Sequence, residues 1–258
     1  MAEPAQIAET LAAATRERRE LQPFTDEDPD LALEAAYEAQ RLGVQIRLDA
    51  GERVIGAKLG LTSVAKQKVM NVDSPLHGVV TSGMLSPSGQ SLDLSRFIHP
   101  RVEPEIAFLL ARDVAAPATV TSVLAATEAV LAAIDVLDSR YADFRFRLPD
   151  VVADNASAGA FILGPRIRAP YDIEDLSLLG CVLRVNGEVT ATAAGAAVMG
   201  HPAESVAWLA NELAAKGERL RAGWLVFSGG LTEPVPLTAG VSVAAEFDDL
   251  GTIEVFGR

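Results

Sequence analysis

The chain has 258 residues, of which 49% are hydrophobic, and a formal net charge of −13. This length suits one large domain or two small ones with a substantial core, and the acidic balance argues against nucleic acids and anionic membranes as partners. A single cysteine, Cys181, excludes an internal disulfide, and the sequence shows neither a signal pattern nor an apolar run of membrane-spanning length, so we expect a cytoplasmic protein.

The beginning of the chain predicts a helical flank. Apolar residues recur at helical spacing over residues 5–20 and again over residues 31–48, and Gly51 ends the second helix. The inward stripes are Ile7, Leu11 and Ala14 in the first helix, and Leu33, Tyr37, Val44 and Leu48 in the second. We therefore expect residues 1–50 to pack on a larger domain formed by residues 51–258.

An apolar strand containing a lysine is predicted next. The segment RVIGAKLG covers residues 53–60 and places Lys58 among apolar neighbours. Such a lysine either lies at a sheet edge with its ammonium in solvent or is a buried functional group suited to proton transfer. A short helix with Thr62 or Ser63 as its cap is then expected to run to Met70, and residues 74–78 predict a turn.

Acidic residues in two apolar segments indicate a cation site. A strand over residues 102–110 places Glu103 and Glu105 on one face, because successive side chains alternate. Two buried carboxylates need a cation between them, and oxygen ligands suit Mg²⁺ or Mn²⁺ better than zinc. Solvated glutamates on an edge strand are the alternative. A helix from Thr119 or Thr121 to about Val130 is expected to lead into the next strand.

That next strand, LAAIDVLDSR, supplies a third acid. Its Asp135 and Asp138 fall on opposite faces, so one is expected to face the cation while the other pairs structurally, with Arg140 as the candidate partner. The following run, SRYADFRFR, is interpreted as a loop that offers arginines such as Arg145 to a substrate carboxylate, and solvated arginines are the alternative.

Later segments predict strands and isolated helices, which indicates an α+β fold. Asn186-Gly187 marks a hairpin, His201-Pro202 opens a helix that Gly217 stops, and VVADNAS and SGGLT predict tight turns. Further strands are expected at residues 224–228, 241–247 and 252–256.

Five motifs resemble one family over the range from about Gly51 to the C-terminus. HPRVEPEIAFLL, AIDVLDSRYADFRF, VVADNASAGAFILG, AAGAAVMGHPAESVAWLANELA and FSGGLTEPVPL are similar to the 4-oxalocrotonate decarboxylase and 2-hydroxypentadienoate hydratase family of the fumarylacetoacetate hydrolase superfamily. The resemblance implies a mixed β-sandwich roll, and it makes Glu103, Glu105 and Asp135 the ligands of Mg²⁺, with Mn²⁺ as a substitute. These enzymes usually carry glutamate where this chain has Asp135, although aspartate is common there elsewhere in the superfamily.

The resemblance also assigns residues to the reaction. It implies catalytic roles for Lys58, Asn155 and Ser157, and substrate contacts from Leu76, Arg140, Arg145, Ser157 and Gly229. In the hydratase branch the turn typically reads Pro-Asp-aromatic-Gly, whereas this chain has an apolar residue after Pro75, as the decarboxylase branch does. The roles of His77 and His201 stay open.

The expected function is therefore Mg²⁺-dependent decarboxylation of 2-oxohex-3-enedioate to 2-hydroxypenta-2,4-dienoate and CO₂, in meta-cleavage degradation of aromatic compounds. Hydration of 2-hydroxypenta-2,4-dienoate is the alternative. Carbon–carbon bond hydrolysis, as elsewhere in the superfamily, is a third option, but the sequence shows no clear His-Glu pair to activate water. A non-catalytic partner of a sister hydratase is a fourth. The expected partners are the 2-oxo dicarboxylate, further copies of the chain in a homo-oligomer, and a sister hydratase.

Overall fold

The computed structural model describes residues 3–63, 67–68, 72 and 74–258. The helices are α1 (Pro4–Glu17), α2 (Phe24–Glu27), α3 (Leu33–Asp49), α4 (Val120–Ala126), α5 (Leu148–Ala153) and α6 (Pro202–Ala215). The strands are β1 (Val54–Gly60), β2 (Leu76–Thr81), β3 (Leu85–Ser86), β4 (Ser91–Leu92), β5 (Arg101–Leu110), β6 (Thr127–Leu137), β7 (Ala158–Arg168), β8 (Gly180–Val185), β9 (Glu188–Ala194), β10 (Leu225–Phe227), β11 (Val235–Pro236), β12 (Ser242–Phe247) and β13 (Gly251–Gly257).

The larger sheet carries the residues of the candidate site on one face. Its strands run in the order β2-β1-β10-β5-β6-β7-β3, and β11 also pairs with β5. Cross-strand partners share a face of a sheet, and the pairs Lys58 with Phe227, Phe227 with Ala107, and Glu103 with Asp135 put all of these side chains on the same side.

The opposite face of this sheet packs on the rest of the domain. Apolar residues such as Ile106 and Phe108 of β5 share one core with Val243 of β12, Leu183 of β8 and Leu209 of α6. The smaller sheet has the order β4-β13-β12-β8-β9. Two packed sheets with helices at their margins confirm the α+β class.

The N-terminal helices form close to the predicted positions, but one stripe differs. Ile7, Leu11 and Ala14 are buried as expected, whereas Leu33 is exposed. The buried residues of α3 are instead Ala36, Ala39, Gln40 and Val44. Small residues fit this position because α3 packs closely against both α1 and α5.

Two boundaries differ from the predictions because strand pairing overrides local preference. The expected turn at residues 74–78 contains the start of β2, where Leu76 pairs with Gly60. Thr119 does cap α4, but the helix ends at Ala126, since the residues that follow pair with both β5 and β7. The helix expected to end at Met70 includes residues outside the described ranges.

The C-terminal predictions are confirmed. Asn186 and Gly187 both have positive φ and connect β8 to β9, as a tight hairpin requires. His201 caps α6, with its Nδ1 accepting a hydrogen bond from the Ala203 amide. Among the described residues, no helix combines the length and apolar character needed to cross a membrane.

Candidate metal centre and active site

Three buried carboxylates converge on the inner face of the larger sheet. Glu103 of β5 lies directly opposite Asp135 of β6, and Glu105 lies two residues along the same face. All three side chains are buried, and one ligand atom from each lies within 4.8 Å of the others. The alternative of solvated glutamates on an edge strand is wrong, because β5 lies in the interior of the sheet.

The electrostatics of this cluster require a positive partner. Burial, followed by repulsion from Asp135 and Glu103, raises the pKa of Glu105 well above its usual value. Its Oε2 accepts a hydrogen bond of 2.9 Å from the Gly229 amide. Its Oε1 is buried and accepts no hydrogen bond from any residue that the structure describes. An oxygen-only donor set with an unsatisfied buried oxygen fits a hard divalent cation.

Lys58 is a buried member of this cluster. Only 1% of the residue is exposed, and β1 lies between β2 and β10, so the sheet-edge alternative is wrong. The Nζ atom lies 2.6 Å from Asp135 Oδ2 and donates a hydrogen bond of 2.8 Å to the Ala156 carbonyl. The ammonium therefore stands next to one of the candidate metal ligands.

The turn that supplies this carbonyl has unusual backbone geometry. Asn155, Ala156 and Ser157 all lie in the left-handed region, with φ of 50°, 55° and 54°. The Asn155 side chain bonds to the backbone of Val79, and the buried Ser157 hydroxyl lies 3.5 Å from Asp154 Oδ2. Sequence analysis identified the segment as a turn, but its left-handed course has no signal in non-glycine residues.

The SGGLT segment approaches the carboxylates with its backbone. Gly229 has a φ of +105°, and a Cβ there would overlap the Thr62 side chain. A Cβ on Gly230 would overlap the Glu103 carboxylate. Two glycines are thus needed for this close approach. Sequence analysis singled out Gly229 but missed Gly230 and Thr62, although the adjacent glycines were a signal for close backbone contact.

Leu76 lies on the same face of the sheet as Lys58. In the pairing of β2 with β1, Gly78 is opposite Lys58, and Leu76 is two residues away. The Leu76 side chain is buried and belongs to an apolar cluster with Ala156 and Val152. This position adds an apolar group beside the turn that contacts Lys58.

Two predicted substrate contacts have other partners in the structure. Arg140 is buried and forms an ion pair with Asp154, whose carbonyl it also binds. Arg145 is exposed and pairs with Asp26, so the alternative of a solvated loop arginine describes it better. Both guanidinium groups have charge partners within the fold, and a substrate contact by either one stays a prediction.

Asp135 of β6 and Asp138, which follows the end of that strand, divide their roles as predicted, with one correction. Asp135 faces the carboxylate cluster, and Asp138 is structural. The partner of Asp138 is not Arg140, however, because its carboxylate accepts hydrogen bonds from the Ile98 and His99 amides. Backbone amides satisfy this buried charge without a cation.

The structure shows the surroundings of the two histidines whose roles the sequence did not assign. His201 is the cap of α6. His77 is buried in β2, stacks on Tyr37 at 4.7 Å between ring centres, and has an Nε2 without a hydrogen-bond partner among the described residues. Because Leu59 is its cross-strand partner, His77 lies on the face away from Lys58.

The comparisons with known proteins agree with this fold and show the family. The family model described as fumarylacetoacetate (FAA) hydrolase C-terminal matches residues 55–255. The chain therefore belongs to the fumarylacetoacetate hydrolase family. The implied mixed β-sandwich roll is confirmed by the structural match given next.

Within this family the chain is similar to both decarboxylases and hydratases. It is 40% identical to a 4-oxalocrotonate decarboxylase of Pseudomonas sp. (strain CF600), over 96% of this chain and 94% of the relative. It is also 40% identical to a 2-hydroxyhexa-2,4-dienoate hydratase of Comamonas testosteroni, over 95% and 94%. The solved structure of 4-oxalocrotonate decarboxylase from Pseudomonas putida G7, complexed with magnesium and adipate, superimposes with a TM-score of 0.95 at 36% identity, over 99% and 97% of the two chains.

Proposed function

We propose that the protein decarboxylates 2-oxohex-3-enedioate (4-oxalocrotonate) to 2-hydroxypenta-2,4-dienoate and CO₂. The observation that carries the proposal is the apolar Leu76 on the Lys58 face of the sheet. A hydratase needs a group that holds water at this end of the substrate, whereas a departing carboxylate benefits from an apolar, water-excluding surface. The similarity to 4-oxalocrotonate decarboxylases over nearly the whole chain supports the same assignment.

The cation that fits the site is Mg²⁺, held by Glu103, Glu105 and Asp135. The donor set contains only carboxylate oxygens, and the similar P. putida decarboxylase is complexed with magnesium and with adipate, which is also a six-carbon dicarboxylate. When bound, such an ion supplies a Lewis acid that polarises the 2-oxo group of a chelating substrate. Mn²⁺ is the expected substitute because it accepts the same ligands.

The side chains around the cluster divide the remaining tasks. In the proposed reaction the C5–C6 bond of 2-oxohex-3-enedioate breaks and the C6 carboxylate leaves as CO₂. The electron pair of that bond moves through the conjugated double bond to the oxygen at C2, and that oxygen takes a proton. Lys58, with Nζ 2.6 Å from Asp135, is placed to deliver this proton and to oppose the developing negative charge. Ser157 is proposed to donate to a substrate carboxylate, and the Gly229 segment to lie against the substrate.

The test is the fate of the dicarboxylate. Purified protein, Mg²⁺ and 2-oxohex-3-enedioate are mixed, and CO₂ release is measured against disappearance of substrate and appearance of hydrated product. We expect one CO₂ for each substrate consumed and little hydration of added 2-hydroxypenta-2,4-dienoate. Rapid hydration of the dienol without CO₂ release from the dicarboxylate would replace the decarboxylase assignment with the hydratase one.

Hydration is the second candidate function because of the sequence similarity to a hydratase. The C. testosteroni hydratase is as similar in sequence as the Pseudomonas decarboxylase is. The two activities share a metal-dependent dienol chemistry and differ in the group beside the distal carbon. Substituting Leu76→Asp is therefore expected to lower the decarboxylation rate and raise the hydration rate, which the same assay measures.

The wider setting of the enzyme also belongs to the proposal. We propose a cytoplasmic homo-oligomer that acts in meta-cleavage degradation of aromatic compounds, with a complex with a sister hydratase as a further partner. The boundary between a flank of residues 1–50 and a catalytic domain of residues 51–258 stays a prediction. A non-catalytic partner role is distinguished by CO₂ release from the protein alone.

A further inference from the structure

We propose that Asn155 is a positioning residue, which ties a left-handed turn to strand β2 and so holds the Ala156 carbonyl against the Lys58 ammonium. The kinetic part of this inference rests on the proposed function, whereas its structural part does not. Asn155 is assigned no contact with substrate here, in contrast to the catalytic role implied by the family resemblance.

The turn needs an external restraint. Asn155, Ala156 and Ser157 are three successive non-glycine residues with positive φ. An L-residue in this region brings its Cβ close to the following carbonyl, so such residues normally occur singly. A run of three persists only where the surroundings determine it more strongly than the local strain opposes it.

The Asn155 amide supplies this restraint at one end of the turn. Its Nδ2 donates to the Val79 carbonyl at 2.9 Å, and its Oδ1 accepts from the Val79 amide at 2.8 Å. β2 is the last strand of the sheet, so the side chain occupies both backbone groups of Val79 on the free edge of β2, where Gln40 Nε2 also donates to the His77 carbonyl. Asparagine suits the position, since it tolerates the left-handed conformation better than most residues do.

A neighbouring glycine makes the approach between the turn and β2 possible. A Cβ on Gly78 would lie 2.7 Å from the Asn155 carbonyl oxygen, closer than real Cβ atoms come. Gly78 is also the cross-strand partner of Lys58. The turn, the edge of β2 and the lysine therefore form one continuous packed unit.

The Ala156 carbonyl is the anchor of Lys58 that does not belong to the carboxylate cluster. The ammonium contacts Asp135 Oδ2 at 2.6 Å and the Ala156 oxygen at 2.8 Å. If the turn relaxes, that oxygen moves, and among the described residues the ammonium is then held by the carboxylate cluster without this anchor. The three carboxylates lie on β5 and β6 and keep their positions, because none of them contacts the Asn155 side chain through a hydrogen bond.

The kinetic experiment compares Asn155→Ala with wild type and with Lys58→Ala in the Mg²⁺-loaded protein. A misplaced proton donor lowers kcat more than it lowers substrate binding, so we expect kcat to fall at least about tenfold and KM to change less than about twofold. In the Lys58→Ala background the same substitution is expected to have little further effect. An equal loss of kcat in both backgrounds would overturn the inference.

Two conservative variants separate the amide from the backbone. Asn155→Asp keeps an acceptor for the Val79 amide and is expected to recover part of kcat. Asn155→Gly relieves the left-handed strain but removes the amide, and it is expected to stay as slow as Asn155→Ala. Wild-type kcat in the glycine variant would show that backbone freedom alone sets the turn, and would overturn the role of the side chain.

A matched control is available in Asn211. Its amide bridges the backbone of Ala118 in the same way, with Oδ1 accepting from the amide and Nδ2 donating to the carbonyl. Asn211→Ala is expected to lower the melting temperature about as much as Asn155→Ala does, while leaving kcat unchanged. A similar loss of kcat in both variants would mean that the effect is a general loss of stability.

A readout without turnover separates this inference from the proposed function. Lysine acetylation with a limiting reagent is quantified by mass spectrometry, with the exposed Lys216 as the internal reference. The buried Lys58 is expected to react slowly in wild type and in Asn211→Ala, and several-fold faster in Asn155→Ala. If the wild-type protein shows no decarboxylation and this reactivity pattern still holds, the proposed function is wrong and the positioning role of Asn155 stands. If Lys58 reactivity is unchanged in Asn155→Ala, the positioning role is overturned.

Discussion

Glu105 is a buried carboxylate in electrostatic conflict with its neighbours. Burial and two neighbouring carboxylates raise its pKa well above the ordinary value, while one amide and Lys58 oppose that shift. The structure tolerates this arrangement because a divalent cation, when bound, reverses the sign of the local field. The stability of the fold and the occupancy of the metal site are therefore linked through this residue.

This linkage predicts that Glu105→Gln removes most of the stabilisation that Mg²⁺ gives the folded protein. Without a divalent cation the variant loses one of three clustered charges and is expected to unfold at a higher temperature than wild type. With Mg²⁺ at about one hundred times its Kd, wild type gains about 2.7 kcal/mol and the variant gains little. The variant is also expected to lose turnover. Thermal unfolding with and without EDTA measures the change in melting temperature, and Glu128→Gln, at an exposed position of the neighbouring strand β6, is the control.

His77 predicts a separate pH dependence of stability. Burial, with Lys216 nearby, lowers its pKa from 6.5 to about 4. Since the folded-state pKa lies below the unfolded one, this contribution is fully present above pH 6.5 and is lost as the pH falls toward 4. Between pH 7 and pH 5 the expected loss from this residue is about 2 kcal/mol.

The test uses His77→Phe, which keeps an aromatic ring against Tyr37 and removes the titrating group. Urea unfolding at pH 7 and pH 5 should show a smaller loss of stability in the variant than in wild type. An identical pH dependence in the two proteins would assign it to other groups.

At the scale of secondary-structure elements, the sequence predicted the structure best where the alternation of side chains along a strand matches their burial. The face shared by Glu103 and Glu105 follows from the two-residue period of β5, and the hairpin at Asn186 follows from turn chemistry. The end of α4 was missed because alanine-rich residues suit a helix, while pairing with β5 from Thr127 onward and with β7 from Val130 onward makes the segment a strand. The left-handed turn at Asn155 was missed as a conformation because its stability comes from Val79, 76 residues away.

The close approach of the SGGLT segment to β5 predicts the effect of Gly230→Ala. The added methyl would overlap the Glu103 carboxylate, so the side chain must leave its position opposite Asp135. We expect Mg²⁺ affinity to fall at least about tenfold, as ligand displacement or the loss of a supporting contact typically does. Titration calorimetry with Mg²⁺ measures this change.

Gly43→Ala is the matched control for that substitution. Gly43 lies within α3, and a Cβ there would meet nothing within 4 Å. The variant is expected to be more stable by about 0.5–1 kcal/mol, because alanine loses less entropy in a helix. Its Mg²⁺ affinity should equal that of wild type. A loss of affinity in both variants would contradict the steric explanation.

At the scale of the whole molecule, the site is assembled from distant parts of the chain. β1 supplies Lys58, β5 and β6 supply the carboxylates, and the segments around Asn155 and Gly229 close the cluster. Sequence motifs and a family resemblance identified most of these residues. They did not reveal that Arg140 pairs with Asp154, because charge partners depend on a tertiary arrangement that no local pattern encodes.

The net charge of the molecule predicts how salt affects the proposed reaction. A protein with a formal charge of −13 repels a dianionic substrate at long range. Among the described residues of the site, the three carboxylates and Lys58 leave a negative balance that a divalent cation would neutralise, so we expect attraction of the substrate to be confined to short distances. Added salt screens the long-range part, because the Debye length falls to about 10 Å at 0.1 M ionic strength.

We therefore expect kcat/KM to rise with salt, while kcat stays constant. Between low salt and about 0.2 M the increase should be about two- to threefold, measured at saturating Mg²⁺ so that metal occupancy does not change. NaCl and KCl should act equally, since screening depends on ionic strength and not on the identity of the ion. If kcat/KM instead fell as salt was added, the substrate would be guided by a local positive field, and the bound cation with Lys58 would dominate the repulsion of the acidic surface.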